Sequence, residues 1–121
     1  MPSDAWQLCS EQCSVIYLGF GGNGNTTTRF RRYEGDTLAV ADASRRPAIL
    51  REYTDKAHLL RPNHWYAIRL EVTPKPGGAR VRYTIDDETI ADYLDPNPLL
   101  RGWFAFRTTW SHTRLTDVRI H

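Results

Sequence analysis

Two asparagines and two arginines in one short stretch are well suited to bind an anionic ligand. Asn23 and Asn25 lie in a glycine-rich loop, and Arg29 and Arg31 follow in a segment of β-strand composition. Residues two apart in a strand share one face, so we expect both guanidinium groups to point the same way. Paired arginines with neighbouring amides suit a uronate carboxylate, because the guanidinium fork bonds a carboxylate bidentately. The alternative is a solvated face on which the arginines pair with acids of adjacent strands.

A second group of polar and aromatic residues stands near the C-terminus. Arg107, Trp110 and His112 occur within six residues of one another. An indole ring offers an apolar surface to the C–H face of a sugar. Arginine and histidine bond hydroxyl groups, and His112 can act as general base or acid near neutral pH. The alternative is that Trp110 belongs to the core and that His112 is an exposed residue at the entrance of a strand.

Three further residues are weaker candidates. Glu52 lies beside Tyr53 in a segment of strand composition, and we include its carboxylate among the substrate-binding residues. His58 and His64 are expected to be structural. His64 follows Pro-Asn at the entrance of a strand, where polar side chains commonly bond the local backbone.

The sequence lacks the signatures of several enzyme classes. It has no Glu-x-Asp-x-x-Glu strand, nucleophile elbow, zinc-protease helix or phosphate-binding loop. Asp86, Asp87 and Glu88 are contiguous, so we interpret them as turn residues rather than as converging carboxylates. Asp117 is a candidate ligand for a structural calcium ion, but one carboxylate is a poor site because calcium takes about six to eight oxygens. We therefore predict no other metal and no cofactor.

The elements that must position these residues are predicted to be all-β. Turn signals separate short segments rich in β-branched and aromatic residues, which is typical of a sandwich or barrel. A break is expected at 74–78, a tight hairpin at Asp86-Asp87, a bulge near Thr116-Asp117, and a short helix only over Thr54–Leu60. The predicted strands are 14–20, 26–33, 48–53, 65–72, 79–85, 88–94, 102–110 and 112–120.

Composition narrows the class of protein. The chain has 121 residues and a net charge of +2, which fit one globular domain and argue against a nucleic-acid partner. No apolar run reaches the length of a membrane span, so we predict no membrane partner. The start of the chain lacks a signal-peptide pattern, so we expect an intracellular protein or one whose leader has been removed.

Fourteen arginines against two lysines reflect either a GC-rich genome or a use for planar guanidinium groups. Cys9 and Cys13 are either two free thiols or a local bridge.

Four segments together carry a family resemblance: 21–32, 50–55, 60–66 and 102–112. They resemble the YesU-like proteins, concanavalin A-like proteins of unknown function from bacterial pectin and rhamnogalacturonan utilisation. The resemblance implies a concanavalin A-like jelly-roll β-sandwich over 17–121, with 1–16 as an N-terminal segment of uncertain structure. Those relatives carry further strands before the glycine-rich loop, so we expect exposed sheet edges that a homo-oligomer would cover.

Residue types and resemblance together favour a protein that acts on an acidic plant or algal polysaccharide. Among reactions, β-elimination at a uronate fits better than hydrolysis. His112 or Tyr17 would be the base, and Arg107 would stabilise the enolate-like charge. Two alternatives stay open: a non-catalytic carbohydrate-binding module, and a partial sandwich completed by another chain.

Overall fold

The computed structural model describes residues 14–34, 49–102, 104–108 and 111–121. Within these ranges the chain is all-β, as predicted, with two three-stranded antiparallel sheets. Sheet A has the order β1-β2-β3 and sheet B the order β4-β5-β6. The only helical pieces described are the four-residue turn Gly22–Asn25 and the 3₁₀ helix Lys56–His58, which is shorter than the predicted helix over 54–60. The strands are β1 Ser14–Gly21, β2 Thr27–Glu34, β3 Ile49–Tyr53, β4 Ile68–Lys75, β5 Gly78–Ile85 and β6 Glu88–Asp95.

The core lies where the two sheets contact each other. Phe30 in β2 is 1% exposed, and its ring packs edge-on against Tyr83 at 5.7 Å and Tyr93 at 6.1 Å between centroids. Val81 and Ala91 complete the buried cluster. Burial raises the pKa of Tyr83 to about 12, so this phenol stays neutral near pH 7. The contact between sheet faces is consistent with a β-sandwich, while the jelly-roll topology stays a prediction.

The hairpin between β5 and β6 confirms the predicted tight turn. Ile85 pairs with Glu88, which leaves Asp86 and Asp87 as the two loop residues. Their φ angles are 49° and 66°, as a type I′ turn requires. Aspartate tolerates this left-handed backbone better than most residues. The acids therefore sit at the tip because of turn chemistry.

The predicted break at 74–78 is wrong in its extent. β4 runs to Lys75 and includes Pro74, which pairs with Ala79 of β5. Only Pro76 and Gly77 form the connection to β5. β4 is an edge strand of sheet B, so backbone groups that face away from β5 make no hydrogen bonds within the sheet. Pro74 is tolerated there because the N–H that a proline lacks would not have been bonded.

The two predicted C-terminal strands do not form in the described residues 104–108 and 111–121. Asp117 has a φ of 53° and lies at a bend, which interrupts the second predicted strand where a bulge was expected. Apolar side chains there stay outside the core, including Phe104 at 50% and Ile120 at 73% exposed. The sequence period was strand-like, but a strand also needs a partner for its backbone groups.

Three further predictions concern the start of the domain, the exposed sheet edges and the membrane. β1 starts at Ser14, three residues before the predicted domain start, and Cys9 and Cys13 lie outside the described residues. On edge strand β4, Ile68 is 51% and Val72 44% exposed. A homo-oligomer that covers such edges stays a prediction. In the part of the chain that is described, none of the helices has the length and apolar character needed to cross a bilayer.

Candidate functional site

Five side chains of sheet A point away from sheet B. Phe30 faces the core, so by strand alternation its neighbours Arg29 and Arg31 face outward. The register places Tyr17 opposite Arg31 and Glu52 opposite Arg29, on the same side. Tyr33 joins them, with its ring centroid 6.1 Å from that of Tyr17. We call this surface the Tyr–Arg face: Tyr17, Arg29, Arg31, Tyr33 and Glu52.

The two arginines of the Tyr–Arg face differ in their partners. Arg29 Nε bonds the Glu52 carboxylate, so one predicted ligand residue neutralises another. Arg31 Nε is buried and has no hydrogen-bond partner, and Arg31 forms no ion pair with the described residues. A buried donor without a partner costs about 1–3 kcal/mol. Arg31 is therefore the cation of this face that an anionic ligand would stabilise.

The predicted asparagines occupy the turn between β1 and β2. Asn25 Nδ2 donates to the Leu60 carbonyl at 3.0 Å, and the Leu60 N–H donates to Asn25 Oδ1 at 2.8 Å. Both ends of this amide are thus used to tie the turn to the segment after β3. Asn23 is exposed, and its carbonyl accepts a hydrogen bond from Thr26 Oγ1 at 2.7 Å.

The C-terminal candidates lie outside both sheets. Arg107 and His112 are exposed in the strandless segment, and Trp110 lies outside the described residues. Asp117 makes a bidentate pair with Arg119, with Nε–Oδ1 and Nη2–Oδ2 distances of 3.0 and 3.2 Å. Among the described residues no group of three His, Cys, Asp or Glu could hold a metal ion.

His58 occupies a position between two carboxylates. Its Nε2 lies 2.6 Å from Glu88 Oε2, and its Nδ1 lies 2.7 Å from Asp55 Oδ2. The Tyr53 ring stacks on the imidazole at 4.1 Å. The hydrogen bond to the Glu88 carboxylate, followed by that to Asp55, raises the pKa of His58 despite partial burial. The bond to His58 in turn lowers the pKa of Asp55.

His64 belongs to a second polar cluster at the same hairpin. Its Nε2 lies 2.9 Å from Asp86 Oδ2 and 3.2 Å from Arg61 Nη2. The Ala67 N–H donates to Asp86 Oδ1 at 2.9 Å, and this bond, then that of His64, lowers the pKa of Asp86. Tyr66 packs its ring against His64 at 4.3 Å, and its Oη accepts from the Arg61 N–H at 2.8 Å.

A cleft of about 140 Å³ lies beside these two clusters. Its walls combine apolar side chains with an imidazole, a guanidinium, a phenol and two carboxylates. The acids come from the β5–β6 turn, 22 residues beyond His64 and 30 beyond His58. The turn is visible in the sequence, but these distant pairings are not. We call this the hairpin cleft, lined by Phe20, Thr28, Ala57, His58, Arg61, Tyr66, Ile85, Asp86, Glu88 and Ile90.

Comparison with known proteins gives one match. Residues 9–118 match DUF6250, described as a domain of unknown function. No curated protein and no solved structure matches the chain.

Proposed function

We propose that this chain, which belongs to the DUF6250 family, is a carbohydrate-active protein that binds an acidic plant or algal polysaccharide through the Tyr–Arg face. The observation that carries the proposal is the difference between its two outward arginines. Glu52 already compensates Arg29, whereas no carboxylate among the described residues compensates Arg31. A uronate carboxylate would compensate the charge of the half-buried Arg31 side chain, since guanidinium and carboxylate groups form strong charge-assisted bonds.

The tyrosines of the face supply the second requirement of a sugar site. Tyr17 and Tyr33 are half-buried and meet edge to face beside the arginines. Phenol rings combine an apolar body, which suits the C–H face of a sugar, with a hydroxyl that bonds its oxygens. The resemblance to YesU-like proteins supports the choice of a pectin-like substrate and of the concanavalin A-like jelly-roll topology.

Two modes of action are compatible with such binding. The residues favour a polysaccharide lyase, in which a guanidinium group neutralises the carboxylate of the reacting uronate before a proton leaves C5. The alternative is a carbohydrate-binding module that uses the same face without cleavage. Both require the Tyr–Arg face, so binding is tested first and cleavage separately.

The test measures binding of polygalacturonate by isothermal titration calorimetry. Arg31→Gln is expected to weaken binding about tenfold or more, because a hydrogen bond to a charged group contributes about 1.5–3 kcal/mol. Arg69→Gln is the matched control, since Arg69 lies in sheet B with a side chain 74% exposed. A neutral galactan should bind at least tenfold more weakly than polygalacturonate. Equal affinity of Arg31→Gln and the wild type, or of the two polysaccharides, would overturn the proposal.

A further inference from the structure

We propose that Arg61, His64, Tyr66 and Asp86 form a β-elimination site for a uronate-containing polysaccharide at the rim of the hairpin cleft, which Arg61, Tyr66 and Asp86 line and which His64 adjoins through its contacts with all three. The inference rests on the proposed function, because it takes the same acidic polysaccharide as substrate. It assigns the chemistry to residues other than Tyr17, Arg107 and His112, which the sequence favoured. The reaction needs a group that neutralises a carboxylate, a base and an acid, and this cluster supplies all three.

Asp86 orients His64 as the base. The bonds from Ala67 and His64 hold the pKa of Asp86 below its usual value, so near pH 7 its carboxylate is ionised and only accepts hydrogen bonds. With His64 Nε2 as the donor of this 2.9 Å bond, Arg61 Nη2, 3.2 Å from the same nitrogen, is a neighbour and not a second donor to it. In a neutral imidazole this leaves the lone pair on Nδ1, which has no hydrogen-bond partner among the described residues. A nitrogen base held by a carboxylate is the arrangement that proton abstraction needs.

Arg61 supplies the positive charge. It is exposed, lines the cleft and forms no ion pair with the described acids. Its Nη2 lies 3.2 Å from His64 Nε2, so a carboxylate bound by Arg61 is held beside the imidazole whose Nδ1 is the proposed base. Charge neutralisation at that carboxylate stabilises the enolate-like intermediate.

Tyr66 supplies the acid. Its Oη accepts a hydrogen bond from the Arg61 N–H at 2.8 Å, which leaves the phenolic proton free to be donated elsewhere. The ring is fixed on one side by His64 and on the other by Phe20, whose centroid is 4.9 Å away. The hydroxyl thus belongs to a rigid wall of the cleft.

The proposed step balances without any co-reactant. His64 Nδ1 takes the proton from C5, and the C–H electron pair becomes the C4–C5 double bond. The C4–O bond breaks, and the leaving oxygen takes the proton of Tyr66. Proton transfer from His64 to the Tyr66 phenolate through solvent restores the site. The products are an unsaturated uronate end and a new hydroxyl end.

The experiment incubates the full chain with polygalacturonate, rhamnogalacturonan and alginate and follows the ultraviolet absorbance of unsaturated products. At least one substrate should give product with the wild type. His64→Gln and Tyr66→Phe should each lower kcat about 10²-fold or more, the usual loss for a general base or acid. Tyr66→Phe keeps the ring packing but loses the bond from the Arg61 N–H, so an unchanged circular dichroism spectrum is required to show that its loss of rate is not a folding defect. Arg61→Gln should raise KM as well, and His121→Gln, at the exposed C-terminus, should match the wild type.

Two outcomes would overturn the inference. One is binding of polygalacturonate without product from any of the three substrates, which leaves the proposed function intact and makes the protein a binding module. The other is product formation that Tyr17→Phe or His112→Gln abolishes while Tyr66→Phe retains it. Failure of the proposed function looks different, because the wild type would then not bind polygalacturonate at all.

Discussion

Arg32 in β2 and Asp95 at the end of β6 form an ion pair that joins the two sheets, with Nε and Oδ2 3.0 Å apart. The side chains are 9% and 1% exposed. Asp95 Oδ1 also accepts the Asn97 N–H at 2.9 Å, so both carboxylate oxygens are satisfied. Since Arg32 shares the inward side of β2 with Phe30, the pair continues the apolar contact between the sheets.

Replacement of Asp95 by alanine should lower the free energy of unfolding by about 3–5 kcal/mol, because it removes the carboxylate that compensates the buried Arg32 guanidinium. Urea denaturation followed by circular dichroism measures the change. The control is Asp92→Ala in the same strand, whose pair with Arg80 is well exposed. That loss should be about 1 kcal/mol or less. Equal losses in the two variants would show that the inter-sheet pair has no special role.

Gly78→Ala should destabilise the β4–β5 hairpin severely. Gly78 has a φ of 150°, and an added Cβ would lie 1.9 Å from the Asp95 carbonyl oxygen. Backbone strain and overpacking each cost about 1–3 kcal/mol, so a loss of about 3 kcal/mol or more is expected. Gly77 has a φ of 87°, but a Cβ added there would meet no atom within 4 Å. Gly77→Ala should therefore lower the free energy of unfolding by only about 1–2 kcal/mol. A smaller loss for Gly78→Ala than for Gly77→Ala would contradict the packing seen here.

The stability of the fold should depend on His58 above neutral pH. The folded-state pKa of His58 is raised, so its stabilising effect is complete below the unfolded value of 6.5 and is lost as pH rises through the folded value. The free energy of unfolding should therefore decrease over this range, and less so in His58→Gln. Urea titrations at a series of pH values up to about 9 measure the difference between the two proteins. A difference that stays constant with pH would refute the assignment.

The lowered pKa values of Asp55 and Asp86 should make the stability of the fold depend on pH in the acid range. Their stabilising effect is complete above the unfolded value of 3.8 and is lost as pH falls through the lower folded values. Acid unfolding of Asp86→Asn should consequently depend less on pH than that of the wild type. Asp87→Asn, at the next position of the turn, is the matched control. Identical acid profiles of the two variants would count against a role for Asp86.

Asn25→Gly should cost about 1–3 kcal/mol, because it removes two hydrogen bonds worth about 0.5–1.5 kcal/mol each. Asn23→Gly is a close control, since both asparagines have positive φ, 61° and 53°, and both are exposed. Glycine accepts this backbone readily, so Asn23→Gly should be neutral or slightly stabilising. Thermal unfolding distinguishes the two. Equal melting temperatures would mean that the tie to Leu60 contributes nothing.

Local chemistry explains which elements could be predicted from the sequence. The Asp86-Asp87 turn and the alternation around Phe30 depend on neighbouring residues only, and the structure has both. Pro74 lies in a strand because β4 is an edge, and an edge is a property of the whole sheet. The strand-like period near Phe104 could not reveal whether a pairing partner was present.

In the candidate sites, too, contacts between residues distant in the sequence could not be predicted. The common face of Arg29 and Arg31 follows from their spacing, but the bond between Arg29 and Glu52 joins residues 23 apart. His64 was interpreted as structural because it follows Pro-Asn at the entrance of a strand. Asp55 is a local partner of His58, but Glu88 and Asp86 reach the two histidines only when the β5–β6 hairpin folds back beside the segment after β3.

Pro74 also limits how this molecule can aggregate. The free edge of β4 presents backbone donors and acceptors to solvent, and edges of this kind can template growth of a cross-β ladder. A proline has no N–H, so an added strand would find a missing donor near the end of β4, and Lys75 beside it would bring a charge. Growth along this edge is thereby confined to the segment before Pro74, so exposed Ile68 and Val72 could join only a short added strand.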